Sequence, residues 1–196
     1  MFKSDRALED VALPDGERSV AIEQGTARGG ERSPVSSEKP AGAITVERAT
    51  HQDIPAVCAL LKKVWDPAPA GVPIALVKSW QPTPLEFASW MASVTYFAAR
   101  KDGRLVGVVG CELHHGNCKM VHLAVDPDVR RQGVATGLVL AAIEWAKKES
   151  ASSIWVESLR GLASATALFQ RLGFVLAGAL HQHEWGEDVN FFERLV

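Results

Sequence analysis

One stretch limits the folds open to this chain more than any other. From Cys118 the sequence runs as an apolar strand, "CKMVHLAV", then a turn, "DPDV", then "RRQG", then a long amphipathic segment ending near Lys148. Strand, tight turn and helix in direct succession predict an α/β domain. Val134, Leu138, Ala141, Ala142 and Trp145 fall on one face of the expected helix. Lys147 and Lys148 lie in its last turn, where their charge suits the helix dipole.

The turn itself has the chemistry of an anion site. A helix start presents unpaired N–H groups and the positive end of a dipole. Small residues at Gly133 and Ala135 let an anion approach those groups, and Arg130 and Arg131 add charge and forked donors. Two familiar phosphate loops are excluded. The Walker pattern requires a lysine that is missing here, and the dinucleotide fingerprint fails because Gly133 is followed by Ala135 and Leu138 where it needs glycines. A pyrophosphate of another kind of ligand fits what remains.

The surrounding chain reads as one domain with an extension. Residues 1–42 hold eight acidic and six basic residues and no hydrophobic period, so they are expected to form a flexible or disordered extension. From residue 43 to 196 the pattern is that of a folded domain. "AITVERAT" alternates as a strand, and Thr50 with Asp53 marks a helix start. Ile54, Val57, Leu60, Leu61 and Val64 then form a stripe. "IALVKSWQPTPLEFASWMAS" predicts one or two short helices. "TYFAARKDGRLVGVVGCELHHG" predicts a hairpin, "SSIWVESL" a strand, "ASATALFQRLG" a helix, and "FVLAGAL" with "VNFFERLV" a closing strand pair. The order implies a mixed central β-sheet flanked by helices on both faces.

Composition narrows the partners. A formal charge of -2 gives no field to draw nucleic acid, and the six tryptophans lack interleaved basic residues, so they read as core and pocket. An odd set of three cysteines with no apolar leader suggests reduced thiols and a cytoplasmic protein. No run is long enough to span a bilayer, so no membrane association is expected. "CELHHGNC" gathers Cys111, His114, His115 and Cys118, but its spacing matches no strong zinc signature and strand alternation scatters the ligands; no metal is expected.

"VHLAVDPDVRRQGVATGLV" resembles the acyl-coenzyme-A-binding motif of the GNAT (Gcn5-related N-acetyltransferase) family, with Arg130, Gly133 and Ala135 at the motif positions. "ATALFQRLGF" is similar to that family's second signature, at Ala165, Leu168, Gly173 and Phe174. The resemblance covers about residues 43–196 in element order and implies the GNAT acyl-CoA N-acyltransferase fold. It implies that Leu123, Ala124 and Val125 pair through their backbone with the pantetheine arm of acetyl-CoA, the co-substrate. It also implies that the pyrophosphate is held by the segment Arg130, Arg131, Gln132, Gly133, Val134, Ala135, Thr136 and Gly137.

The implied reaction is transfer of an acetyl group to a primary amine of a small molecule or peptide by direct attack. His122, with an ordinary pKa near 6.5, and Glu112 are the candidate catalytic bases, and Glu157 is a weaker third. Phe169 stands where many members carry a tyrosine that protonates the thiolate, beside the cofactor, and Leu162 stands where an asparagine often contacts the cofactor arm. These departures keep open an alternative, a catalytically weak acyl-CoA-binding or regulatory domain. Either form is expected as a monomer or homodimer. "HQHEWGED" reads either as a hairpin at the acceptor mouth or as a solvated turn.

Overall fold

The computed structural model describes residues 42–66, 68 and 72–196. The extension expected over 1–42 therefore lies, Gly42 apart, outside the described residues.

Seven strands form one sheet: β1 Ile44–Arg48, β2 Thr95–Lys101, β3 Arg104–His114, β4 Asn117–Val125, β5 Ser153–Leu159, β6 Val175–Glu184 and β7 Glu187–Leu195. Their spatial order is β1-β2-β3-β4-β5-β7-β6. Among the described residues only the β4–β5 pair is parallel. A parallel neighbour needs a long crossover, and helix α4, Val134–Lys148, supplies it. The mixed sheet is the one the element order implied.

Helices cover both faces. Helix α1, Ile54–Trp65, and α3, Pro84–Trp90, pack on one face through Val57, Leu61 and Phe87, against Tyr96, Ala98, Val108 and Ala124. Between them lies α2, Ile74–Ser79, whose Leu76 meets Leu159 and Val189. On the opposite face α4 and α5, Ala163–Arg171, bury Leu138, Ile143, Leu168 and Phe169 with Val106, Met120, Ile154 and Phe192. The α4 stripe is rotated slightly from the sequence expectation. Val139, Ile143 and Ala146 are buried, while Trp145 sits at the flank.

Local signals explain the boundaries. The Thr50 N–H donates to Asp53 Oδ2 at 2.9 Å, but this pair opens a 3-10 turn, His51–Asp53, and α1 begins one residue later. Thr83 and Glu86 cap α3 reciprocally. Gly107 on β3 lets α4 approach: a Cβ there would stand 2.8 Å from Leu138 Cδ1 and 2.9 Å from Val134 Cγ1. The closing pair is longer than expected. β6 continues through His181, Gln182, His183 and Glu184, so all of "HQHE" is edge strand and only Trp185–Gly186 is turn. β6 is exposed along nearly its whole length, and two register shifts interrupt its pairing with β7.

Candidate active site

The site begins where β4 and β5 part. Their pairing runs only from Cys118–Ile154 to Met120–Val156, after which the strands diverge. A cavity of about 330 Å³ opens there, lined from β4 by Lys119 through Leu123 and from β5 by Val156 through Leu159. Leu61, Trp65 and Trp80 close it on one side, and Leu162, Ala165 and Phe169 on the other.

A bulge marks the same point on the other edge of β4. Val108 pairs with Ala124 and Gly110 with Val121, so His122 and Leu123 together oppose Val109. His122 takes φ 54, a left-handed conformation unusual for a side-chain-bearing residue in a strand. Its ring stacks on Trp90, with centroids 4.6 Å apart at 15°. The Tyr96 hydroxyl lies 2.7 Å from Nδ1. Gly110 makes room for this cluster, because a Cβ there would meet Val94, Val121 and the Tyr96 ring below 3 Å.

Charge is concentrated beside it. Lys119 projects between carboxylates from both neighbouring strands: its register partner on β3 is Glu112, and it pairs with Glu157 of β5 at 3.0 Å. Its ammonium also sits 4.8 Å over the Trp155 ring. Glu112 lies 3.3 Å from His114 Nε2 and is not part of the cavity wall, whereas Glu157 is. Burial, assisted by the Lys119 charge and opposed by Glu112, pushes the His122 pKa down to about 4. A histidine titrating near neutrality was the expectation, and desolvation of the ring against Trp90 and Tyr96 is the reason for the difference.

At its far end β4 hands over to the anion loop. Asp126 is buried and accepts from Lys63 Nζ at 2.7 Å, Arg104 at 3.1 Å and the Asp128 N–H at 3.0 Å. Burial alone would raise its carboxyl, but these partners hold it below the usual range. It ties β3 and α1 to the 3-10 turn Pro127–Val129, from which the loop starts. Arg131 at φ 64 and Gly133 at φ 86 then turn the chain into α4. Arg130, Arg131, Gln132 and Gly133 are exposed, and Lys101 holds the Gln132 side chain at 2.8 Å. Val134 is buried, while Ala135, Thr136 and Gly137 form the first turn of the helix at intermediate exposure.

Most of the expected residues fall along β4 and its continuation, with His122 in the bulge, Leu123, Ala124 and Val125 on the diverging half and Arg130 through Gly137 beyond its end, while Glu112 stands on β3 opposite Lys119, away from the bulge. Phe169 lines the cavity but is otherwise buried among Phe174 and Phe192, with centroids at 5.6 and 5.8 Å. Leu162 precedes α5 and also faces the cavity. The four residues of "CELHHGNC" divide differently. Cys111 and Cys118 are buried under α4, and His114 and His115 lie at the exposed hairpin end. Among the described residues no three His, Cys, Asp or Glu side chains gather at metal-binding distance. Sequence reading did not place Tyr96, and it missed Trp90, Lys119 and Asp126. Only Asp126 carried a local signal, the Asp-Pro turn.

Comparison with known proteins agrees with this fold. Residues 58–174 match the Acetyltransferase (GNAT) family. Human N-acetyltransferase 8B is 29% identical over 143 residues, covering 70% of this chain and 61% of that protein, so the chain spans less than two thirds of that relative. The structure of the ribosomal-protein-S18-alanine N-acetyltransferase from Escherichia coli superposes with a TM-score of 0.65 at 21% identity, covering 79% of this chain and 94% of that one. The PaiA N-acetyltransferase from Thermoplasma acidophilum, solved with coenzyme A, gives 0.67 at 13% identity, covering 79% and 99%. Among the described residues no helix is long and apolar enough to cross a membrane.

Proposed function

We propose, from the premise that the chain belongs to the Acetyltransferase (GNAT) family and is an N-acyltransferase of that type, that it moves an acetyl group from acetyl-CoA to a primary amine of a small molecule or peptide. The observation that carries this reading is the parting of β4 from β5 on the strand that leads into the Arg130–Gly137 loop. An extended pantetheine arm fits the diverging half of β4, where Leu123, Ala124 and Val125 have a strand on one side only. The loop offers N–H groups, Arg130, Arg131 and an open approach, since nothing lies within 4 Å of a Cβ built at Gly133. This is a fit for a pyrophosphate at one end and a thioester at the other.

In the reaction the neutral amine nitrogen bonds to the thioester carbon and the carbon–sulfur bond breaks. One amine proton is lost and one proton ends on the sulfur, so the products are an amide and free coenzyme A. The proton acceptors available are the carboxylates around Lys119, Glu157 in the wall and Glu112 one strand back, the latter through water. Phe169 cannot protonate the thiolate; a leaving thiol with a pKa near 8.5 leaves with only modest help from water. The acceptor end of the cavity is bounded by Trp65 and Trp80, whose centroids are 4.4 Å apart, with Glu184 at its rim. Aromatic walls with carboxylates suit an amine on an apolar body. The named relatives acetylate, by their names, an alanine of ribosomal protein S18 in one case, which makes a peptide amine a fair first acceptor.

The test is thiol release from acetyl-CoA across amines, polyamines and peptides bearing a free N-terminus. Turnover with at least one acceptor supports the transferase. Tight acetyl-CoA binding without turnover on any would favour the binding domain that Phe169 and Leu162 keep open.

A further inference from the structure

We infer that Tyr96 is a positioning residue: its hydroxyl fixes the tautomer of His122, so that the ring presents an Nε2–H donor to the cavity and acts there as a hydrogen-bond donor, not as the base. Tyr96 lies on β2, two strands from the cleft, with 1% of its surface exposed. Among the described residues its hydroxyl has no hydrogen-bond partner other than His122 Nδ1, at 2.7 Å. If Nδ1 carried the proton, the phenolic hydrogen would be left buried without an acceptor, a costly arrangement. The hydroxyl therefore donates and Nδ1 accepts, which leaves the ring proton of neutral imidazole on Nε2.

Three further observations agree. No buried side-chain nitrogen or oxygen among the described residues lacks a partner, so Nε2, which has none there, is open to the cavity that His122 lines. The ring is clamped on Trp90 and parallel to the Tyr96 ring at 8°, so it has one orientation. Burial also keeps the phenol protonated and the imidazole neutral. The groups that face this pair are Glu112 from β3 and Lys119 from β4; their charges oppose each other at the ring. A neutral imidazole N–H at the parting of β4 and β5 can hold the oxygen on which negative charge develops as the thioester carbonyl is attacked. That last role rests on the proposed acetyl transfer; the tautomer does not.

Long-range 15N NMR of the imidazole reads the tautomer in the full chain, whatever the chain acetylates. Expected at neutral pH is a single form with the proton on Nε2. In Tyr96→Phe a second tautomer appears and the His122 titration midpoint moves up, because the neutral ring loses the bond that favoured it. With an acceptor in hand, Tyr96→Phe lowers kcat by about tenfold while KM for acetyl-CoA stays nearly constant. In a His122→Ala background the same substitution has no further effect on kcat. A wild-type ring protonated on Nδ1, or a Tyr96→Phe protein with wild-type tautomer and kcat, would overturn the inference. Absence of turnover with any acceptor, beside the expected NMR result, would leave Tyr96 in place and remove the transferase reading alone.

Discussion

The two halves of β4 differ more than any two separate elements of the molecule. From Cys118 to Met120 the strand has β3 on one side and β5 on the other, and Cys118 and Met120 are sealed under α4 while Lys119 points to the other face. From Val121 to Val125 it keeps β3 alone, bends through a bulge and borders a cavity. The first half is bought with burial; the second leaves backbone groups and an unusual backbone angle to be stabilised by what surrounds them. Stability and chemistry are thus separated by a few residues of one strand.

That separation can be broken most severely from the closed half. Ile154→Ala on β5, beside Cys118, removes a fully buried side chain that does not line the cavity. It should cost about 2–5 kcal/mol in urea denaturation, with coenzyme A affinity of the folded protein unchanged; lost affinity would mean that the halves are not independent. In the open half His122→Ala should lower kcat by roughly 10²-fold, and because it leaves the buried Tyr96 hydroxyl without its partner it should also cost about 1–3 kcal/mol of stability. Glu112→Ala should lower kcat less, and the opposite order would make the carboxylate the more important group. Gly133→Val meets no neighbour, so its cost comes from forcing φ 86 on a branched residue in the anion loop. Calorimetry should show coenzyme A bound about tenfold more weakly; unchanged affinity would dissociate the loop from the pyrophosphate.

A further effect is one of pH. His122 takes up its proton less readily when folded, with a midpoint near 4, than when unfolded, at about 6.5. The folded state then binds fewer protons in this window, so His122 contributes stability that is full above about 6.5 and falls away as pH drops toward 4. His122→Phe should flatten that part of the stability curve, measured by denaturant midpoints across the range.

Most of the scaffold could be read in the sequence because its signals are local. The "DIPAVCALLKKVW" stripe, the "KDG" turn and the "RRQGVATG" helix start each announce themselves within a few residues. The candidate site residues from His122 to Gly137 likewise come from one short continuous stretch of sequence. What escaped was assembled across strands. Tyr96 and His122 are 26 residues apart and meet only through sheet register, and Trp90 arrives from a helix above them. The chemical state of His122 escaped for the same reason, since its desolvation comes from those partners and not from its neighbours in sequence. Nor does "HQHEWGED" signal how far an edge strand continues, because both faces of β6 are exposed and no buried period marks its end.

The bulge at His122 also works as a counter. Before it, the even-numbered side chains Cys118 and Met120 face α4; after it, the odd-numbered Leu123 and Val125 do, and Ala124 faces α1. The extra residue switches parity once, in mid-strand. Deleting the one extra residue of the bulge, His122, would therefore leave the composition almost intact and yet send every later side chain of β4 to the wrong side. A reading frame is thus built into the strand, and the anion loop beyond Asp126 is in phase only because one extra residue sits in the bulge.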